Sequence, residues 1–479
     1  MPFVLIAIAI IAAGIAAVIP SNRLRPWVLP PAAAAHLVGT FYAIWGHPFA
    51  KLTLTSWIAL DPPGRLVLLI ISVLFFICAI YCVGYLRYRL ALSNRVFCAC
   101  LLLFLAMATL VVCSMHLGLM WVAIEGATLS TAPLVYFNRT QKSIEATWKY
   151  LLIGSVGIAL ALLGSFFMAY AGFKPGVETS LLFTDLIHQA PTLSKPWLHI
   201  AFVLLLVGYG TKMGLAPMHT WKPDVYGEAP GIVGALLAGG LTNCAFLALV
   251  RVHHICRAAG ETTYTSRLLI FMGLLSMAFA AVFMLSQKDF KRMLAYSSVE
   301  HMGILTLGIG VGGPALAGAL LHMFTNGFTK GVLFLSAGNI HRAYSAKTTD
   351  EVRGAIRRLP LSGTLFLLGF LAITGSPPFG PFISEFSILN GAFAMGRYAV
   401  GAGFLALLLL VFIGMGRTVL TIVQGRPSPA ARSSAYRDGI LTGGPVLLAM
   451  ALVLLLGVYI PAPLQELLRQ AAHYLEVKP

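Results

Sequence analysis

Residues Gly208 to Gly231 read GYGTKMGLAPMHTWKPDVYGEAPG. The stretch follows an apolar run, Leu198 to Val207, headed into lipid, yet it carries Lys212 four residues past Gly208. A cation near the middle of a membrane helix costs roughly 2.5–3.5 kcal/mol by insertion scales. Such a residue faces the bundle interior or a water-filled cavity, and it needs a partner. The flanking glycines and Pro217 predict that the helix is interrupted here. Irregular backbone at membrane depth is tolerated only where it lines a cavity or is buried in protein.

The composition agrees. Of 479 residues 58% are hydrophobic and 10% charged, against about 25% charged in soluble proteins. The net charge of +17 comes from residues scattered through short loops between apolar runs, which is not the clustered basic face of a nucleic-acid binder. Seven cysteines (Cys78, Cys82, Cys98, Cys100, Cys113, Cys244 and Cys256) show no CxxC and no zinc spacing and read as small hydrophobes. The N-terminal stretch lacks a basic region and an obvious cleavage site, so it reads as the first span.

At about 20 apolar residues per crossing, the chain is an all-α polytopic membrane protein with fourteen expected spans: 2–20, 27–45, 66–87, 95–114, 117–137, 147–171, 198–217, 230–251, 267–286, 297–311, 313–339, 361–393, 397–423 and 441–460. The second is the weakest, interrupted by Pro30, Pro31 and His36. The twelfth contains GSPPFGP, Gly375 to Pro381, and must be broken. Breaks in spans 7 and 12, five spans apart, suggest two inverted repeats, spans 4–8 (95–251) and 9–13 (267–423). Residues 1–94 then hold the first three spans, and 424–479 hold span 14 and a tail. On this layout 19 of the 33 Lys and Arg residues fall in loops opposite the termini and 10 on the termini's side. The positive-inside bias therefore puts both termini outside the cytoplasm. The other four, Lys149, Lys212, Lys330 and Arg417, fall inside or at the ends of spans.

Four charged residues sit well inside spans: Glu125, Lys212, Lys330 and Glu385. His322 lies eight residues before Lys330, about two turns, so the two share a face with Asn326 midway. Burial favours a neutral amine and a nearby carboxylate favours the ammonium, so a lysine beside a carboxylate that can move has two accessible protonation states. A histidine adds a group with an unperturbed pKa of about 6.5. Secondary candidates are Lys149, Asn243, Glu300, His301, His219, Asp224 and Glu228. Plainer roles stand beside these: an ion pair tying helices, snorkelling for Lys149, a helix–helix hydrogen bond for Asn243, and capping of the eighth span by Asp224 or Glu228. His36 and His116 read as packing residues, and Lys288 to Arg292 as a cytoplasmic turn.

These residues resemble a known family. KMGLAPMHTWKPDVYGEAP (212–230), QKDFKRMLAYSSVEHMGI (287–304) and the Glu125–Gly126 pair are similar to the signatures of the antiporter-like subunits of respiratory complex I, Mrp-type cation/proton antiporters and membrane-bound hydrogenases. The likeness runs over roughly 65–460. YSSVEHMG (296–303) and EATWKYLLIGSVG (145–157) look most like component F of hydrogenase-4 and its formate hydrogenlyase relatives, and the chain's end at Pro479, with no long lateral helix, fits. The resemblance implies that Glu125 and Lys212 pair, that Lys330 and His322 form a central relay, and that Glu385 is the terminal residue, lysine in other members. Asn243 stands where some members have a lysine and Asn326 where some have a second histidine. Lys222 replaces an apolar residue of the HTWxPD pattern. The expected relay therefore runs through Lys330, His322, Glu300 and water.

The implied function is proton translocation by a membrane subunit of an energy-converting redox complex in a bacterial or archaeal cell membrane. Partners would be lipid, other antiporter-like and anchor subunits, and a cytoplasmic peripheral arm of hydrogenase or complex I type. The sequence holds no haem or iron–sulfur ligand set and no GxGxxG in a soluble unit, so NiFe and iron–sulfur centres are expected only in partner subunits. An Mrp-type Na⁺/H⁺ antiporter subunit without redox coupling and a structural scaffold are the competing readings.

Overall fold

The computed structural model describes residues 1–46, 57–173 and 180–476. Lys51, Lys174 and Lys478 of the charge tally lie outside them. The described chain is helical, with isolated bridges in place of sheets. The main helices are α1 (Pro2–Val18), α2 (Leu29–Trp45), α3 (Pro62–Arg87), α4 (Arg95–Cys113), α5 (Leu117–Val135) and α6 (Gln141–Ala171). A short α7 (Phe183–Gln189) precedes α8 (Lys195–Met213), and the two-turn α9 (Trp221–Glu228) precedes α10 (Gly231–Ala258). Then come α11 (Thr262–Met284), α12 (Phe290–Val311), α13 (Pro314–Tyr344), α14 (Pro360–Ile373), α15 (Gly380–Ala394), α16 (Tyr398–Val423), α17 (Ile440–Val458) and α18 (Ala462–Glu476).

Prolines open many of these helices, at Pro2, Pro62, Pro196, Pro314, Pro360 and Pro381, where the missing N–H costs nothing. The same rule explains α2. Pro30 and Pro31 begin that helix and do not interrupt it. His36 is buried between Thr109 at 3.0 Å and Ser72 at 3.0 Å. His116 does more than pack: its Nδ1 accepts from the amides of Gly118 and Leu119 and so caps α5.

Among the described residues ten helices are long and apolar enough to cross a membrane, and α1 and α14 are shorter apolar helices. The long helices α12 and α13 fall outside that set, and they are the ones carrying Glu300, His301, His322 and Lys330. They are buried along nearly their whole length, so their polar groups face protein and not lipid.

Both expected breaks are present. After α8, Gly214 takes φ 74° and ends the helix, and α9 folds back into the interior. Trp221 Nε1 returns to the Thr211 carbonyl at 2.9 Å, which satisfies one end of the broken helix. The second break separates α14 from α15, with Gly375 at φ 67°. A third irregularity was not foreseen: α10 contains a π segment, Leu237–Leu241. The C-terminal tail holds α18, which buries Leu464, Leu467, Leu468, Ala471 and Leu475 on one face. It meets α10 through Tyr474, packed edge-on to His254, and Arg257, which donates to the Glu476 carbonyl at 3.0 Å.

Several cations assigned to loops are interior. Arg25 and Lys291 are buried; Lys291 donates to the Ala229 carbonyl at 2.7 Å, and Arg25 bonds Asn94 and Asn22. Arg251 makes two hydrogen bonds to Asp61, at 2.9 and 2.6 Å, and reaches the α4 carbonyl ends at Val112 and Ser114. Asp61 also accepts from Gly64 N and so caps α3. The Lys288–Arg292 turn is a helix start: Asp289 caps α12 by accepting from the amides of Lys291 and Arg292. All seven cysteines are free thiols, and six are buried.

Candidate ion-translocation site

The row begins at α5. Lys212, at the end of α8, donates to Glu125 Oε2 at 3.1 Å and to Thr128 Oγ1 at 2.7 Å. Glu125 and Thr128 are one turn apart on α5, so one helix face offers both acceptors. Lys212 is 1% exposed and Glu125 20% exposed, so the carboxylate is the member of the pair nearer the outside.

Beyond the break comes a residue that the sequence reading left in a loop. Lys222 on α9 is fully buried. Its Nζ donates to Ser298 Oγ at 3.0 Å and lies over the Tyr226 ring. Its stem packs against Gly214, where any Cβ would collide with it, so the glycine is required both for the left-handed turn and for the approach of this lysine. The next residue of α12, Ser297, accepts from Lys330 at 2.6 Å. Two lysines thus converge on consecutive serines. The signal in the sequence was a single lysine locked between Trp221 and Pro223 inside a segment too short to span. It was masked by its position beside helix-breaking residues, where loop cations also occur.

From Lys330 the row continues along the α12–α13 contact. Ser297 and His301, one turn apart on α12, face Lys330 and His322, two turns apart on α13. His301 Nδ1 and His322 Nε2 share a hydrogen bond of 2.9 Å. His322 Nδ1 is bonded to Ser384 Oγ at 2.8 Å, and Glu385 is the next residue of α15. Glu385 Oε1 lies 4.0 Å from His301 Nδ1, and Glu300 Oε2 lies 3.7 Å from His301 Nε2. The Glu385 carboxylate occupies the space left by Gly375 at the second break.

The row is polar beyond its own bonds. Among the described residues, Glu300 Oε2, His301 Nε2, Glu385 Oε1 and both amide atoms of Asn326 are buried without a protein partner. Buried polar atoms normally have one, from protein or from ordered water. His301, His322 and Glu385 also place donor atoms within 4.8 Å of one another, a set that could hold a metal ion, but the bond between the two rings already joins two of those donors.

The secondary candidates divide. Glu300 and His301 belong to the row. His219 borders it, packed among Phe279, Phe283 and Tyr296. Among the described residues Asn243 makes no helix–helix bond: its amide donates to the carbonyl of Gly239, in the π segment of its own helix, at 2.9 Å. Lys149 is half-exposed and paired with Glu145 and Asp224 at 2.6 and 2.8 Å, outside the row. Asp224 also meets Arg292 at 3.1 Å, and Glu228 meets Lys347 at 2.6 Å. These two acids tie α9 to α6, α12 and the loop after α13. They do not cap the next helix, which starts at Gly231 after Pro230. Lys347 also reaches Asp289 at 3.3 Å; burial works against its charge, but the two carboxylates win and hold its pKa above the ordinary lysine value. Arg417 is exposed on α16 and takes no part.

Comparisons with known proteins bear on the family and the fold. Residues 114–413 match the family described as NADH:quinone oxidoreductase/Mrp antiporter, TM. The chain is 35% identical over 460 residues to a hydrogenase-4 component F homolog of Methylacidiphilum infernorum, covering 94% of each. It is 31% identical to NADH-quinone oxidoreductase subunit 14 of Thermus thermophilus, covering 91% of this chain and 95% of that one. A chain of Thermus thermophilus respiratory complex I with bound aureothin superposes with a TM-score of 0.79 at 26% identity, over 96% of this chain and 97% of that one. With its family signature spanning the very helices that build the row, this chain belongs to the NADH:quinone oxidoreductase/Mrp antiporter membrane family, as one of its antiporter-like subunits.

Proposed function

We propose that this chain translocates protons as the antiporter-like membrane subunit of an energy-converting complex, and that Glu125–Lys212 is its input pair, Lys222, Lys330, Glu300, His301 and His322 its relay, and Glu385 its output. The supporting observation is that Ser297, Lys330, His301, His322, Ser384 and Glu385 are all buried and that three hydrogen bonds, Lys330–Ser297, His301–His322 and His322–Ser384, run between helices along the row. Water would bridge the remaining gaps, at the atoms that lack a protein partner.

The chemistry follows from the input pair. While Glu125 faces Lys212, the ammonium is favoured. When the carboxylate withdraws or is protonated, burial favours the neutral amine, and the proton passes to the next base. Lys222 and Lys330 can each take it, because serine hydroxyls hold them and, among the described residues, no carboxylate is bonded directly to either. His301 and His322 share one hydrogen bond and so pass a proton by exchanging tautomers. In this reading the termini are extracytoplasmic, the chain crosses fourteen times, ten of them in two five-span repeats, and redox centres reside in partner subunits of a cytoplasmic arm.

The decisive experiment is Lys212→Met in the intact complex. Proton pumping should be abolished with assembly intact. Wild-type pumping by an assembled Lys212→Met complex sinks the scheme.

A further inference from the structure

A second cluster of charge stands apart from the row. Five arginines, Arg357, Arg358, Arg426, Arg432 and Arg437, with Pro427, line a cleft of about 600 Å³ open to the outside. Arg358 is pinned by three backbone carbonyls, Ala431 at 2.6 Å, Ser434 at 2.8 Å and Tyr436 at 2.7 Å. Arg437 bonds the Ser434 and Tyr436 carbonyls, and Arg432 the Pro427 carbonyl. The loop after α16 contains one acid, Asp438, and it is already engaged by the Ser362 amide and hydroxyl. Among the described residues no carboxylate pairs with any of the five arginines. Carbonyls orient the guanidiniums but do not neutralise them, so like charges converge on one cleft without a counter-ion. Such a cleft raises the local positive potential and so favours an anion.

The position of the cleft says which anion. Arg357 and Arg358 lie just before α14, Arg426 just after α16, and Arg437 just before α17. Ile440, the first residue of α17, is 90% exposed, and Leu420, in the last turn of α16, is 42% exposed. The arginines therefore stand where the lipid-facing apolar surface ends, at the depth of the headgroups. Guanidiniums bind phosphate oxygens in bidentate fashion, and basic pockets at helix ends take anionic headgroups. We propose that this cleft binds the phosphate of an anionic phospholipid whose acyl chains run along the helices carrying Leu420 and Ile440.

The test uses the full chain in mild detergent, with phosphatidylglycerol or phosphatidylcholine supplied and retained lipid counted by native mass spectrometry. Wild type should retain phosphatidylglycerol in preference, Arg357→Gln with Arg426→Gln should lose about tenfold or more of that retention, and the paired Lys substitutions should keep most of it. Retention by wild type should also fall as salt is raised, a readout that needs no variant to fold. Equal retention of the two lipids, salt-independent retention, or wild-type retention by the Gln variant overturns the proposal. So does uptake of inorganic phosphate without any preference for phosphatidylglycerol, which would mark a free-anion site.

Discussion

Ser297 and Ser298 are neighbours on α12, and each holds the ammonium of a different lysine, Lys330 at 2.6 Å and Lys222 at 3.0 Å. Successive residues of a helix point about 100° apart, so the two lysines reach the pair from different elements, α13 and the folded-back α9. This is where the part of the row attached to the first helix break meets the part attached to the second.

Lys222 is the member whose role is easiest to separate from packing. Lys222→Met should lower pumping by about tenfold or more while the complex still assembles. Lys222→His should retain transport with its pH optimum moved towards acid, because an unperturbed imidazole titrates near pH 6.5 and a lysine near 10.4. An unchanged pH profile in the assembled His variant would assign Lys222 a structural role only.

Gly375 serves the proposed output end twice, through its positive φ and through the space it leaves for the Glu385 carboxylate. Gly375→Ala should cost about 1–3 kcal/mol of backbone strain and push the carboxylate away from His301. Transport should fall more steeply than thermal stability does. Equal losses in both would show that the glycine only shapes the turn.

The Asp61–Arg251 pair makes the opposite prediction. Both residues are nearly inaccessible, and neither belongs to the row. Asp61→Asn leaves a buried guanidinium without its counter-charge, which costs about 3–5 kcal/mol. The double replacement Asp61→Leu with Arg251→Met should recover most of the loss. Melting of the purified chain checks this, and pumping per folded molecule should be unchanged.

A pH-dependent tie closes the loop before α11. Glu261 accepts from Lys195 and from His199, each at 2.8 Å. Those hydrogen bonds, with Lys195 the larger influence, hold its pKa below the usual carboxylate value. A depressed folded pKa gives stability that is present above the unfolded value of about 4.3 and is lost as pH falls through the lower folded value. Hydrogen exchange of the amides around Gly260 to Thr265 should therefore accelerate below about pH 4, beyond the intrinsic rate. Glu261→Gln should show the faster exchange already at neutral pH and no acid transition.

The sequence made the row visible because an ionisable residue inside an apolar run has few innocent explanations. Glu125, Lys212, Lys330 and Glu385 stood out for that reason, and the two breaks were legible from Gly and Pro. Lys222, Lys291 and Arg251 were not, because each sits at the edge of an apolar run, where an interior cation and a loop cation look alike. Only the fold-back of α9 and the end of α4 decide between them. The bond from Asn243 back to the π segment is hidden in the sequence because one extra residue in a turn leaves no periodic trace, although Gly239 and Gly240 mark a place where backbone can deform. The amphipathic α18 is readable from its leucine spacing, which marks a surface-lying helix and not a span.

The ion pairs of α9 give its buried lysine a handle at the surface. Asp224 grips Lys149 and Arg292, and Glu228 grips Lys347, which itself holds Asp289 at the start of α12. Two turns of rigid helix connect these grips to Lys222. A neighbouring subunit that seized Lys347 or Arg292 would thus pull on the outer end of a short crank, whose inner end carries an ammonium that the neighbour never meets.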